Sequence, residues 1–191
     1  MSLNKNFLSL DKFIHQALYS PKTGFYMKKN PFGDKGDFIT SPLISILFSE
    51  MLSVWTVAFW QNLKCPKNIN LIELGAGNGQ MMYDMINSFK SFPEFNKSCK
   101  FYIFETSPHL KKIQKEKLKG FNVIWIKNLN EIKKNYNIFI ANEFFDALPI
   151  KQFFKINKKW MEKFVVLEKN NKKKFINFIS DIKKVEKKIG F

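Results

Sequence analysis

The sequence predicts an α/β fold built on an open, doubly wound parallel sheet, and three observations carry that expectation. The apolar run Ile69-Asn70-Leu71-Ile72 ends in the acid Glu73 and passes at once into Leu74-Gly75-Ala76-Gly77-Asn78-Gly79, after which helix-like spacing begins. A second apolar run, Lys100 to Phe104, also ends in a carboxylate, Glu105. Two further runs, Asn122 to Ile126 and Asn137 to Ala141, follow with helix-like segments between them. Strands alternating with helices in this rhythm give a parallel sheet, and four such strands can be counted.

The flanking elements follow in order. Residues 7 to 20 place Phe7, Leu10, Phe13, Ile14, Ala17 and Leu18 at helical spacing and stop at Ser20-Pro21. Pro21 to Pro42 is rich in Gly, Pro, Asp and Lys yet carries Phe25, Tyr26, Phe32 and Phe38, which predicts a long loop held down by aromatic anchors. Ile44 to Leu63 repeats apolar residues at threes and fours and reads as a well-buried helix. Beyond Asn142 the period changes to two, over 152–156, 160–167 and 174–179, with turn-like Asn-Lys runs between, which predicts an antiparallel meander. Residues 181–191 read as a Lys-rich helical or frayed end. The expected segments are therefore 1–66 (N-terminal helices and loop), 67–149 (ligand-binding core), 150–180 (meander) and 181–191 (tail).

Composition narrows the classes. A chain of 191 residues with 45% apolar content supports one domain of ordinary size with a real core. No apolar run approaches bilayer length, and the first residues lack the pattern of a secretory signal, so a soluble, intracellular protein is expected. Cys65 and Cys99 are isolated from each other and from any His cluster, so neither a metal nor a disulfide framework is expected. The net charge is +16, but every one of the 32 basic residues is Lys. Without the planar fork of arginine the charge argues for nonspecific attraction to anions rather than specific nucleic-acid reading.

The glycine run carries the chemistry. Glycines at alternate positions let the backbone turn tightly and approach a ligand, and the following helix aims free N–H groups at the same place. A dinucleotide fingerprint would put glycine at position 80, where Gln80 stands. An acid-ended strand followed by G-x-G-x-G instead resembles the first motif of class I S-adenosylmethionine (SAM) methyltransferases, and Glu105 stands where such folds place the acceptor of ribose hydroxyls.

Three further segments resemble one family. They are Asn30-Pro31-Phe32-Gly33-Asp34-Lys35-Gly36-Asp37-Phe38-Ile39-Thr40-Ser41-Pro42, Glu105-Thr106-Ser107-Pro108-His109-Leu110, and Asn142-Glu143-Phe144-Phe145-Asp146-Ala147-Leu148-Pro149. Together with the glycine motif they look like the MidA-like family, whose mitochondrial member is a protein arginine methyltransferase needed to assemble respiratory complex I. The resemblance covers about Tyr19 to Leu167. Ala76 replaces the proline common in the family's glycine loop, Leu43-Ile44-Ser45-Ile46 replaces its polar E-I-S-Q, and Lys151 stands where a His is usual. Family members are also much longer, so the chain looks like their N-terminal half, a Rossmann-like SAM methyltransferase fold with part of its sheet missing.

The resemblance implies roles for individual residues. Gly75, Gly77 and Gly79 would meet the methionine end of SAM, with Glu73 orienting the loop or the amino group. Glu105 would hold the ribose, and Asn128 and Leu129 would lie near the adenine. Asn142, Glu143 and Asp146 would face the methyl acceptor, two carboxylates being suited to clamp a cationic guanidinium. Gly33, Gly36 and Asp37 would belong to a lid, the competing reading being that Asp34 and Asp37 simply make Asx turns. The implied partner is a protein substrate, such as a subunit of complex I, and a second polypeptide or another copy would complete the sheet. RNA methylation and a non-catalytic partner-binding role are the competing functions.

Overall fold

The computed structural model describes residues 6–28, 31–33, 36–167 and 173–180. Along the chain run β1 (Asn6–Ser9), α1 (Leu10–Tyr19), α2 (Phe25–Lys28), α3 (Ser41–Ile44), α4 (Ile46–Asn62), β2 (Ile69–Leu74), α5 (Gln80–Phe89) and α6 (Pro93–Ser98). They continue with β3 (Cys99–Phe104), α7 (Pro108–Lys117), β4 (Val123–Ile126), β5 (Tyr136–Ile140), β6 (Phe153–Ile156), β7 (Lys159–Leu167) and β8 (Lys173–Ile179). The contacts divide the chain into two compact units, Phe25–Asp146 and a second made of residues 1–24 with 147–191.

The first unit is a four-stranded parallel sheet in the order β4-β3-β2-β5. The order reverses at β2, which is flanked by β3 and β5, so a crevice opens beyond its carboxyl end. β2 is buried along its whole length because it is central and covered on both faces. One face packs Leu71, Phe101, Ile103 and Ile138 against helix side chains. α5 contributes Met81, Met82, Met85, Ile86 and Phe89, spaced at threes and fours, and Phe89 meets Phe95 of α6 at 4.6 Å between ring centroids. Each such buried side chain contributes roughly 1.5–3 kcal/mol. The opposite face gathers Ile72, Leu74, Tyr102 and Ile126, with Ile132 and Phe144 against them. Register aligns Ile124, Tyr102, Ile72 and Phe139 in one row across that face, and its two ends are exposed.

Two expectations fail here. The segment between β4 and β5 holds only a three-residue 3-10 turn, Leu129–Glu131, where helix-like structure was expected. The helix read as well buried from Ile44 runs as α4, with Ile44 (73% exposed) left at the end of α3, and Leu47, Met51, Trp55 and Phe59 of α4 are exposed. Its inward face carries Ser49, Ser53, Thr56, Val57 and Trp60. The small hydroxyl residues let α4 lie close to α5, and Ser53 and Thr56 satisfy themselves by donating to Ser49 O and Leu52 O one turn back.

In the second unit β7 is the central strand. β8 pairs along one edge from Met161 to Leu167, while β6 and β1 share the other edge, β6 at Lys159–Glu162 and β1 at Phe164–Leu167. The meander therefore has the expected strands, and the turn expected at 170–173 falls largely outside the described residues. Residues 7–9 belong to a strand rather than to the helix predicted over 7–20, because β7 offers them an open edge. The N-terminus consequently groups with the meander, unlike the segment 1–66 read from the sequence. Lys151 lies between the carboxylates of Glu162 and Asp11, whose charges and hydrogen bonds hold its ammonium above the ordinary lysine range despite partial burial. The Lys-rich tail, 181–191, lies outside the described residues, as do Asn30, Asp34 and Lys35.

Candidate functional site

The turn after β2 is made possible by three glycines in the left-handed region, Gly75 (φ +69), Gly77 (φ +54) and Gly79 (φ +84). Each faces a different neighbour. A Cβ on Gly75 would lie 2.7 Å from the Phe144 ring, one on Gly77 3.4 Å from the Phe32 ring, and one on Gly79 3.4 Å from Gln114 Cγ. Asn78 Oδ1 accepts from Gln80 N, and Gly79 N donates to Ala76 O, which closes the turn onto the first residue of α5.

This loop lines a cleft of about 410 Å³ open to solvent. The other walls are Glu73 at the end of β2, Asn142 and Glu143 after β5, and Phe32, Thr40 and Leu43 from the segment before α4. The structure thus brings together Glu73, Gly75, Gly77, Asn142 and Glu143 in one space, as the topological switch point requires. A wider hollow touches Cys99, Lys100 and Asn122, at the amino ends of the strands and away from this chemistry.

Glu73 is 4% exposed, and its Oε2 has no hydrogen-bond partner among the described residues. Burial and the charge of Glu105 push its carboxyl up to about 8, against the single backbone N–H of Met82 that favours ionisation. An orphaned, buried carboxyl oxygen beside a glycine cradle fits a ligand that brings its own donor, such as an ammonium group. Gly77 fits the same ligand, since a Cβ there would stand 3.4 Å from the Phe32 ring of the cleft wall, whereas Gly79 lies outside the lining and packs on Gln114.

Glu105 sits behind the loop rather than in the cleft wall. Its Oε1 accepts from Ser107 N (2.8 Å) and its Oε2 from Gln114 Nε2 (3.0 Å), leaving it 8% exposed. Burial pushes its carboxyl up, and these hydrogen bonds pull in the opposite direction. Asn128 and Leu129 are exposed and outside the cleft. The Asn128 side chain accepts from Asn130 N, and Glu131 returns the favour to Asn128 N, a reciprocal cap of the 3-10 turn. Asp146 is exposed in a second 3-10 turn and does not line the cleft. Glu143 does, in the left-handed region (φ +49), a conformation costing about 1–3 kcal/mol that positions a side chain at the mouth of the site.

The expected lid is a tight loop. Gly33 N donates to Phe38 O, Phe38 N to Pro31 O, and Gly36 N to Gly33 O, so that Phe32 and Phe38 pair across it. A Cβ on Gly36 would stand 2.3 Å from Pro31 O, which explains the glycine. Gly33, Gly36 and the exposed Asp37 lie outside the cleft wall; Phe32 is the residue of this loop that reaches it. Phe32 stacks on Tyr26, and Tyr26 O accepts from Ser107 Oγ, the cap of α7. The charges of Asp146 and Glu143, after burial, hold the Tyr26 phenol above its ordinary range.

Sequence reasoning passed over Tyr26, Thr40 and above all Gln114. Gln114 had a legible signal: it stands midway between Leu110 and Leu118 at four-residue spacing, a polar residue at a core position of an otherwise Lys-rich helix.

With this geometry in view, the comparisons with known proteins are specific. Residues 51–189 match the family described as "Putative S-adenosyl-L-methionine-dependent methyltransferase". The mitochondrial protein arginine methyltransferase NDUFAF7 of Xenopus laevis is 32% identical, over 84% of this chain and 42% of its own length. The human protein of that name is 30% identical over the same shares. A Burkholderia thailandensis protein crystallised with S-adenosyl-homocysteine superposes with a TM-score of 0.77 at 23% identity, over 96% of this chain and 49% of the other. The chain spans about half the length of these relatives. The match over residues 51–189 includes the glycine turn, Glu105 and the Asn142-Glu143 loop, and by it the chain belongs to this SAM-dependent methyltransferase family.

Proposed function

We propose that this chain holds SAM at the Gly75–Gly79 loop and directs its methyl group to an arginine side chain of a protein substrate, in the assembly of respiratory complex I. The observation that carries the reading is the cleft shared by the glycine loop, the orphaned Glu73 oxygen and Glu143. Bound SAM supplies a methyl group on a sulfonium, a leaving group that needs no covalent help from the protein.

The residues have the remaining work of alignment and charge. Glu73 accepts the ligand's ammonium, and the glycine backbone admits it closely. Glu105 would offer its remaining lone pairs to ribose hydroxyls, and Leu129 with Asn128, which lie outside the cleft, would border the adenine. Glu143, assisted by Asp146, pairs with the guanidinium and orients one nitrogen in line with the methyl carbon. The guanidinium nitrogen that takes the methyl group must lose a proton, and the Glu143 carboxylate at the cleft mouth would accept it. Asn142, in the cleft lining beside Glu143, would face the acceptor with it, and the loop of Gly33, Gly36 and Asp37 would hold Phe32 over the cofactor.

The relatives are named as mitochondrial protein arginine methyltransferases, which supports arginine as acceptor and mitochondria as the compartment; a location in the matrix, or in the cytoplasm of a bacterium, is part of the proposal. Among the described residues no helix is long and apolar enough to cross a membrane. The exposed apolar face of α4 and the edge of β5 support association with a second polypeptide or another copy. Incubation with methyl-labelled SAM and complex I subunits, followed by mass spectrometry, tests the reading. Label on arginine supports it; label confined to RNA or to other side chains contradicts it.

A further inference from the structure

Gln114 is completely buried on α7, an element that carries none of the residues assigned a role above. Its Nε2 donates to Gly77 O (2.9 Å) and to Glu105 Oε2 (3.0 Å), and its Oε1 accepts from Trp125 Nε1 of β4 (3.0 Å). Both amide hydrogens and the carbonyl are therefore used, and the indole donor fixes which end of the amide faces the glycine loop. Gly79 packs on the same side chain, since a Cβ there would stand 3.4 Å from Gln114 Cγ and 3.5 Å from its Cα.

We propose that Gln114 is a positioning residue of the cofactor site, a clamp that sets the glycine loop and the ribose acid relative to each other. The inference rests on the SAM reading given above and deepens it. Two consequences follow from the bonds. A trans peptide points its C=O and N–H in opposite directions, so drawing Gly77 O toward α7 turns Asn78 N–H away from it, on the loop that lines the cleft. Glu105, held on one oxygen by Ser107 N and on the other by Gln114, has its carboxylate plane fixed before a ligand arrives. A site ordered in advance does not lose affinity to ordering on binding.

The alternative is that Gln114 only satisfies buried polar groups. A merely structural residue would change stability without a specific link to Glu105. Calorimetric titration with S-adenosyl-homocysteine of wild type, Gln114→Met, Glu105→Gln and the double variant separates the two, with thermal unfolding recorded for each. A clamp predicts that Gln114→Met weakens binding at least tenfold, and that the double variant is scarcely weaker than the weaker single variant. Affinity within twofold of wild type in Gln114→Met, or losses that simply multiply in the double variant, would overturn the inference. If Gln114→Met does not fold, the isosteric Gln114→Glu replaces it. Its carboxylate would face Glu105, so its deficit relative to wild type should shrink at least threefold from pH 8 to pH 6, where the pair can share a proton; a deficit independent of pH, or none, overturns the clamp. Wild type that binds no S-adenosyl-homocysteine would sink the cofactor reading itself, a result distinct from any change confined to the variants.

Discussion

Phe32 lies against Gly77: a Cβ added to the glycine would meet ring atoms Cδ2 and Cε2 at 3.4 Å each. The position is doubly restricted, because φ is +54 there and a branched side chain is strained in that region by about 1–3 kcal/mol. Gly77→Val should therefore abolish any rise in melting temperature that S-adenosyl-homocysteine gives the wild type. A full ligand-induced shift in the variant would show that the ligand does not approach this turn.

Glu73 gives a pH dependence of known sign. Its carboxyl is raised to about 8 in the fold, so between its ordinary value of 4.5 and about 8 the folded state keeps a proton that the unfolded chain releases. Stability then falls as pH rises through that window, by on the order of a few kcal/mol in all, and Glu73→Gln should flatten the fall. A cationic ligand favours the ionised form, so wild-type affinity should rise as pH goes from 6 toward 8, with a proton released on binding. Titration in buffers of different ionisation enthalpy counts that proton; a count unchanged in Glu73→Gln would assign it elsewhere.

Glu143 lines the cleft from the loop after β5, the strand beside β2, and is exposed at its mouth. Glu143→Gln should leave S-adenosyl-homocysteine affinity within about twofold while lowering methyl transfer at least a hundredfold, in the range that positioned acid–base groups contribute. Parallel loss of both would move the residue into the cofactor's own shell.

The outward face of α4 stacks Trp55 on Phe59 at 5.4 Å in the open. Replacing both by Lys should change stability by no more than about 0.5 kcal/mol per site, as exposed substitutions do, while reducing self-association in sedimentation. Unchanged association would locate the contact elsewhere, for instance at the edge of β5.

Much of this was legible beforehand, and the reasons are local. The four parallel strands and the glycine turn announce themselves because burial on both faces and positive φ leave little choice of residue at Ile69–Leu74 and Gly75–Gly79. Glu73 and Glu143 could be placed beside one crevice from the resemblance together with the switch-point rule. The strand at Asn6–Ser9 could not, since its pairing partner lies more than 150 residues away and nothing in Phe7-Leu8-Ser9 distinguishes strand from helix. The orientation of α4 was hidden for a different reason: its inward face is built from Ser49, Ser53 and Thr56, which pattern reading assigns to solvent. Gln114 was visible as a polar residue on an apolar stripe, but its partners Gly77, Glu105 and Trp125 come from three separate segments.

The most direct measurement is calorimetric titration of the purified chain with S-adenosyl-homocysteine, alongside Gly77→Val. A cradle formed by Gly75–Gly79 and Glu73 predicts saturable binding of one ligand per chain, lost in the variant. No heat of binding at millimolar ligand, or binding that survives Gly77→Val unchanged, would contradict it.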